Sequence, residues 1–149
     1  MKLHDLYHKD FYAWTEQMTQ ALKKGALDEV DIEHLVEEVE SMGASDLREL
    51  KSRLIILIAH LLKWAYQPDS RSSNWIGTIS EQRTQLQNLL EQSPSLNNKA
   101  KDLINDPKCY AKSVKIAVLE TGLDKSNFPT NCPYHLDQLL DDDFFPDSQ

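Results

Sequence analysis

The stretch from residue 46 to residue 66 reads DLRELKSRLIILIAHLLKWAY and decides the fold of this chain. Its large apolar residues recur at alternating spacings of three and four, which places them on one stripe of an α-helix. They are Leu47, Leu50, Leu54, Leu57, Leu61 and Trp64. Further isoleucines and leucines carry the apolar surface most of the way around, as in a buried helix. The unbroken apolar run stops at His60, far short of the ~18 residues that a membrane span needs. The stretch therefore predicts the central helix of a globular core.

A line of polar side chains interrupts this apolar surface. It consists of Glu49, Arg53, His60, Lys63 and Gln67. One interpretation is a solvated strip in which the buried part of His60 finds a hydrogen-bond partner, as buried polar groups normally do. The other is a polar pocket in which His60 acts as an acid, a base or a ligand-orienting donor near neutral pH.

The whole chain predicts an all-α fold, because no stretch alternates like a half-buried strand. We expect a single bundle of four longer helices with two or three shorter C-terminal ones, mostly antiparallel because the connections are short. The longer helices are expected over residues 11–24, 32–42, 46–66 and 75–91. The shorter ones are expected to open at Ser93-Pro94, Asp106-Pro107 and Pro133. Residues 1–149 are expected to form one domain with less ordered termini at 1–9 and 141–149.

The helix boundaries follow from capping residues. Asp10, Asp31 and Ser45 stand where N-caps are expected. Gly25, Gly43 and Gly122 follow helical patterns, where left-handed C-caps are expected. The first helix should bury Phe11, Trp14, Met18 and Ala21, and the second should bury Ile32, Leu35, Val36, Val39 and Met42. The outer face of the second helix is then strongly acidic.

The amino-acid composition indicates which kinds of partner and which cellular compartment to expect. The chain has 16 Lys and Arg against 24 Asp and Glu, a net charge of −8. This balance argues against nucleic acid, because broad phosphate binding needs a basic face. The two cysteines lack metal-type spacing, which favours reduced thiols in the cytoplasm. No signal-type segment opens the chain, and we expect no membrane partner.

The connector after the central helix is the best candidate for a surface site. It combines donors and an aromatic ring at one helix junction, where backbone amides of the next helix attract anions. With the polar line, the candidates for ligand or partner binding are Arg53, His60, Gln67, Arg71, Trp75, Gln82 and Arg83. The structural interpretation also stays open: Arg71 and Arg83 would bridge acidic helices and Trp75 would belong to the core.

Metal binding and catalysis have weaker signals. Di-metal helical bundles use Glu-x-x-His pairs with carboxylates on facing helices, so the candidates are His34, Glu37, Glu38 and His60. The order of His34 and Glu37 is reversed, however, and no second pair exists. His4 and His8 are one turn apart but are expected to precede the first helix. Cys109 has no histidine near it in the sequence and fits a packing role. We therefore expect no metal and no cofactor.

Several motifs in a fixed order resemble one bacterial family. They are HLLKWAYQP at 60–68, Arg71, Trp75, Thr78-Ile79, Gln82-Arg83 and Ser93-Pro94-Ser95-Leu96. Further matches are Leu6-Tyr7, Asp10-Phe11, Trp14, Leu35, Glu37-Glu38, Met42-Gly43, Glu120-Thr121-Gly122-Leu123 and Phe128-Pro129. Together they span nearly the whole chain and resemble the domain of unknown function family 29. The resemblance implies a small helical protein of a kind common in cyanobacteria, and it implies no activity.

For function, the missing catalytic motifs favour a non-catalytic cytoplasmic module that binds another protein and acts on it as a regulatory, antitoxin-like partner. The alternative is a small-ligand-binding protein or an enzyme with a polar pocket. That pocket would involve His60, Arg71, Trp75 and Arg83. The sequence leaves the oligomeric state open.

Overall fold

The computed structural model describes residues 2–149, and in that range it contains helices and no strand. Within these described residues, seven α-helices follow one another. They are α1 (Leu3–Lys9), α2 (Phe11–Lys24), α3 (Ile32–Tyr66), α4 (Ser73–Gln92), α5 (Leu96–Ile104), α6 (Pro107–Thr121) and α7 (Leu136–Leu140). Short 3₁₀ turns lie at Leu27–Glu29, Pro68–Ser70 and Lys125–Asn127. The predicted all-α class is confirmed, whereas a four-helix bundle packing stays a prediction.

Local capping chemistry sets the ends of α2 and α6 where the sequence predicted them. The Asp10 side chain accepts a hydrogen bond from the Ala13 amide at 3.1 Å and so caps the start of α2. Gly25 and Gly122 end α2 and α6 with φ of 71° and 75°. Only glycine adopts this left-handed conformation at little cost. These two helices are therefore specified by their own sequences.

The predicted break between residues 42 and 46 is wrong, because α3 is one helix of 35 residues. Gly43 lies inside it and is not a C-cap, and Ser45 is not an N-cap. A glycine inside a helix costs only about 1 kcal/mol relative to alanine. Two separate helices would leave extra backbone groups without partners at the new ends and would need a second nucleation. Without a proline between residues 32 and 66, continuation of the helix is the cheaper solution.

The expectation that residues 1–9 precede the first helix is also wrong, because residues 3–9 form α1. Tyr7 of α1 packs edge-on against Phe11 and Trp14 of α2, with ring centroids 5.6 and 5.0 Å apart. At the other terminus, Phe144 and Phe145 pack against the core. These two side chains therefore tie part of the C-terminal segment to the core, and lower order at the two termini stays a prediction.

The chain divides into two compact units, of which the first ends at Ser45 and the second contains Asp46–Gln149. A single domain over 1–149 stays a prediction. In the second unit, most of the predicted stripe of the central helix lies in the core, since Leu50, Leu54, Leu57 and Leu61 are fully buried. Leu47 is 40% exposed and Trp64 is partly buried. Side chains from the following helices complete it, including Ile79, Leu86, Leu89, Ala100, Ile104, Tyr110, Val114, Ala117 and Leu139. No helix within residues 2–149 combines the length and the apolar character needed to cross a bilayer.

In the first unit, the predicted inner face of α2 is largely confirmed. Trp14, Met18 and Ala21 are buried, whereas 48% of Phe11 is exposed. The predicted inner face of residues 32–42 is wrong. Most of its apolar side chains are exposed: Ile32 by 57%, Val36 by 49%, Val39 by 59% and Met42 by 68%. Asp31 and His34 are buried instead, because aromatic and hydrogen-bonding partners on α1 and α2 surround them.

Candidate functional site

Arg83 is fully buried in the second unit and binds backbone carbonyls of its own chain. Its Nε donates to the Leu139 carbonyl at 2.9 Å, and its Nη2 donates to the Phe144 carbonyl at 2.6 Å. Burial lowers the pKa of Arg83, although the carboxylates of Asp142 and Asp141 oppose that shift. The guanidinium therefore holds the end of α7 and the following tail, without the acidic helix expected from the sequence.

Arg71 and Trp75 stand at the junction after α3. The Nε and Nη2 of Arg71 donate to the Trp64 carbonyl at 2.9 and 2.8 Å, and the guanidinium lies 4.6 Å from the centroid of the Trp64 ring. A carbonyl at a helix C-terminus needs such an external donor. Trp75 is half-buried, with the ammonium of Lys63 4.7 Å from its ring centroid.

The polar line of the central helix makes contacts within the second unit. Lys63 Nζ lies 2.6 Å from a carboxylate oxygen of Glu120, and Gln67 Nε2 donates to the Thr121 carbonyl at 3.1 Å. His60 is half-buried with its Nδ1 3.0 Å from the Ile56 carbonyl, and burial lowers the pKa of His60. Arg53 Nε lies 3.6 Å from Glu49 Oε1, and Arg53 Nη1 donates a hydrogen bond to Gln82 Oε1 at 3.4 Å.

The structure thus brings Arg53 to Gln82 and Lys63 to Trp75. It gives His60, Arg71 and Arg83 a separate backbone partner each. A ligand pocket shared by these side chains stays a prediction. Burial also raises the pKa of the Cys109 thiol, which is consistent with a packing cysteine.

The first unit contains a cluster of aromatic and charged side chains around His34. The His34 Nδ1 lies 2.6 Å from Asp31 Oδ2, and the same oxygen accepts the indole N–H of Trp14 at 3.1 Å. Both Asp31 and His34 are more than nine-tenths buried. Burial alone would raise the pKa of Asp31, but hydrogen bonds from His34 and Trp14 outweigh it and lower that pKa. Asp31 is therefore a buried carboxylate held in its charged form.

Helix α1 covers this pair with three ring side chains. The Tyr7 ring stacks on the His34 ring with centroids 3.9 Å apart, and His4 and His8 place their rings 4.5 and 5.3 Å from it. The Tyr7 hydroxyl donates to Glu38, and that hydrogen bond is the main reason why the pKa of Tyr7 rises to about 12. Two of the imidazoles, those of His4 and His34, also bring a ring nitrogen close to the buried carboxylate of Asp31.

Of the sequence-predicted metal candidates, only His34 belongs to this cluster as a possible ligand. Glu38 is bound to Tyr7, Glu37 is exposed, and His60 lies in the other unit. Sequence reasoning missed Asp31 and His4, because Asp31 was assigned only a capping role and His4 was expected to precede the first helix. The Asp31-x-x-His34 spacing was the available signal, since residues three apart share a helix face.

The exposed apolar residues of α3 form a second feature of the first unit. At 100° per residue, Ile32, Val36, Val39 and Met42 fall on one side of the helix, here called the α3 stripe. The exposed carboxylates Glu33, Glu37 and Glu40 follow one edge of it. In the same helical register, the stripe continues into Leu50, Leu54 and Leu57, which are buried.

Comparison with known proteins gives a single positive result. No curated protein matches the chain, and no solved structure matches it either. A family model matches residues 6–145, which is nearly the whole chain, and its description is "Domain of unknown function DUF29". The chain therefore belongs to this family.

Proposed function

We propose that this protein is a non-catalytic binding module whose α3 stripe binds a basic amphipathic helix of another protein. The observation that carries the proposal is the exposure of four apolar side chains on one face of a single helix, by 49 to 68%. Contiguous exposed apolar surface on a folded protein commonly marks an interaction site.

The spacing of the stripe suits a helical partner. Ile32, Val36 and Val39 stand at i, i+4 and i+7, the anchor spacing by which one helix packs along another. The stripe therefore offers about three helical turns of apolar contact.

The carboxylates beside the stripe favour a partner with basic side chains. Glu33, Glu37 and Glu40 line its edge, and the chain carries a net charge of −8. A second copy of this chain would bring the same acidic edge with it, and like charges across an interface oppose association. A partner whose apolar face is flanked by Lys and Arg gains attraction instead. Regulation of a basic protein, including antitoxin-like neutralisation, is one role that such a module would serve. The cytoplasmic location expected from the two free thiols belongs to the same proposal.

The test uses the full chain and two synthetic helical peptides with the same apolar face. One peptide has Lys and Arg flanks and the other has Glu flanks, and fluorescence anisotropy measures their binding. We expect only the basic peptide to bind, more weakly as salt is added because salt screens exposed charges. We expect Val39→Asp to weaken binding at least tenfold.

Leu119→Asp is the matched control, because Leu119 is a 74% exposed apolar residue on α6. This variant should bind the basic peptide like the wild type. Equal binding of both peptides, or unchanged binding by Val39→Asp, contradicts the proposal. So does light scattering that shows a dimer which Val39→Asp dissociates.

A further inference from the structure

We propose that His4, Asp31 and His34 bind one divalent transition metal ion, with zinc as the ion that suits the ligands best. One nitrogen from each imidazole and one oxygen of Asp31 lie within 4.8 Å of one another. Two imidazoles and a carboxylate are ligands that zinc and related ions accept, whereas magnesium and calcium prefer oxygen alone.

Two of the three ligands are already held in place. Asp31 receives the Trp14 indole N–H, and His34 is stacked under Tyr7. Both side chains are buried, which limits their alternative rotamers. A site whose ligands are fixed before binding loses little side-chain entropy when the ion enters. The third ligand, His4, has a side chain that is 54% exposed and can adjust to the ion.

The distances require shifts on the order of 1 Å, because ligand atoms up to 4.8 Å apart must also draw together. Metal–ligand bonds of about 2.1 Å in a tetrahedral site place neighbouring ligand atoms about 3.4 Å apart. The 2.6 Å contact between His34 Nδ1 and Asp31 Oδ2 would therefore open by less than 1 Å. Coordination of the ion through His34 Nδ1 requires the His34 ring proton to reside on Nε2.

Two carboxyl groups lie at the proposed site. One belongs to Asp31, and a carboxylate oxygen of Glu33 lies 3.2 Å from His4 Nε2. Three protein ligands leave a fourth coordination position for water. A cleft of about 680 Å³ is lined in part by His4 and Asp31, and it supplies a route from solvent.

The experiment removes metal from the purified full chain with a chelator and then titrates it with Zn²⁺ against a chelating indicator. We expect one equivalent to bind. We expect His4→Ala to weaken binding at least tenfold while circular dichroism shows an unchanged fold, because His4 is exposed. A parallel titration with Co²⁺ should give the visible absorption bands of a tetrahedral nitrogen and oxygen site in the wild type and not in His4→Ala.

His8→Ala is the matched control, since His8 lies one turn further along α1 and is exposed as well. It should bind Zn²⁺ like the wild type. An His34→Gln variant serves as a second test if it folds, and it should also lose the site. The proposal is overturned if the wild type binds no Zn²⁺, or if His4→Ala binds it as tightly as the wild type. Loss of binding in His8→Ala but not in His4→Ala overturns the ligand assignment.

Discussion

The two parts of α3 carry the same apolar stripe in different surroundings. In residues 46–66 the middle of the stripe is completely covered, with Leu50, Leu54 and Leu57 at 0% exposure. In residues 32–45 the same helical face leaves Val39 at 59% and Met42 at 68% exposure. The helix is continuous and the stripe keeps its register, so the spacing of the stripe alone does not account for the difference.

The two parts differ in the helices that pack around them. The 46–66 part is packed by side chains of α4, α5, α6 and α7, which close a core around it. The 32–45 part packs its His34 side against α1 and α2 through polar and aromatic contacts. A periodic apolar pattern therefore predicts a helix face, but it does not predict which surface covers that face. An apolar face that folding leaves open is available to a partner.

The largest expected effect is a difference in stability between a variant in residues 46–66 and a variant in residues 32–45. Leu57→Ala should lower the free energy of unfolding by about 2–5 kcal/mol, because it opens a cavity in a closed core. Val39→Ala should change it by no more than about 0.5 kcal/mol, because an exposed side chain leaves no cavity. Urea unfolding followed by circular dichroism measures both. Similar losses in the two variants would show that the stripe around Val39 is packed.

The next effect concerns the charge buried in the second unit. Arg83→Met keeps much of the side-chain volume but leaves the carbonyls of Leu139, Gln138 and Phe144 without their donor. We expect a loss of about 3 kcal/mol in the free energy of unfolding, from the scale of hydrogen bonds to charged groups. Arg48→Met, an exposed position on α3, is the control and should be nearly neutral. A stable Arg83→Met variant would favour the ligand-binding role predicted from the sequence.

A smaller effect is expected at His60, and it depends on pH. Its contact with the Ile56 carbonyl and its packing should make His60→Ala cost about 1 kcal/mol at pH values above the unfolded pKa of about 6.5. Burial lowers the pKa of His60 in the folded state, so the unfolded state binds the proton first as the pH falls. The stability advantage of the wild type should therefore shrink as the pH drops below about 6.5. Unfolding curves across this range measure it, with exposed His135→Ala as the control. An advantage that grows on acidification contradicts the predicted sign.

The smallest effect tests the continuity of α3 itself. Gly43→Ala should raise the free energy of unfolding by about 0.5–1 kcal/mol, because alanine stabilises a helix interior and nothing lies within 4 Å of the added Cβ. Gly25→Ala is the matched control, since its φ of 71° strains any L side chain, and it should lower the stability. A loss at Gly43 similar to the loss at Gly25 would mean that the helix breaks there in solution.

Local sequence determined the features that depend on neighbouring residues alone. The bounds of α2 and α6 follow from Asp10, Gly25, Pro107 and Gly122, whose capping and backbone preferences act within one or two turns. The buried stripe from Leu50 onwards was also predictable, because its apolar residues cover nearly all sides of the helix and leave no exposed alternative. The all-α class follows from the same periodicity.

Tertiary structure alone decided the rest. From its neighbours in the sequence, Gly43 predicts a helix end. The free-energy cost of one glycine inside a helix is smaller, however, than the cost of two new helix ends. His34 is buried and Val36 exposed because α1 brings Tyr7 onto one side of α3, and no pattern within α3 encodes that neighbour. For the same reason His4, Asp31 and His34 could not be grouped from the sequence. Asp31 and His34 are local neighbours at the start of α3, but His4 lies on α1, and only packing sets its distance from the other two.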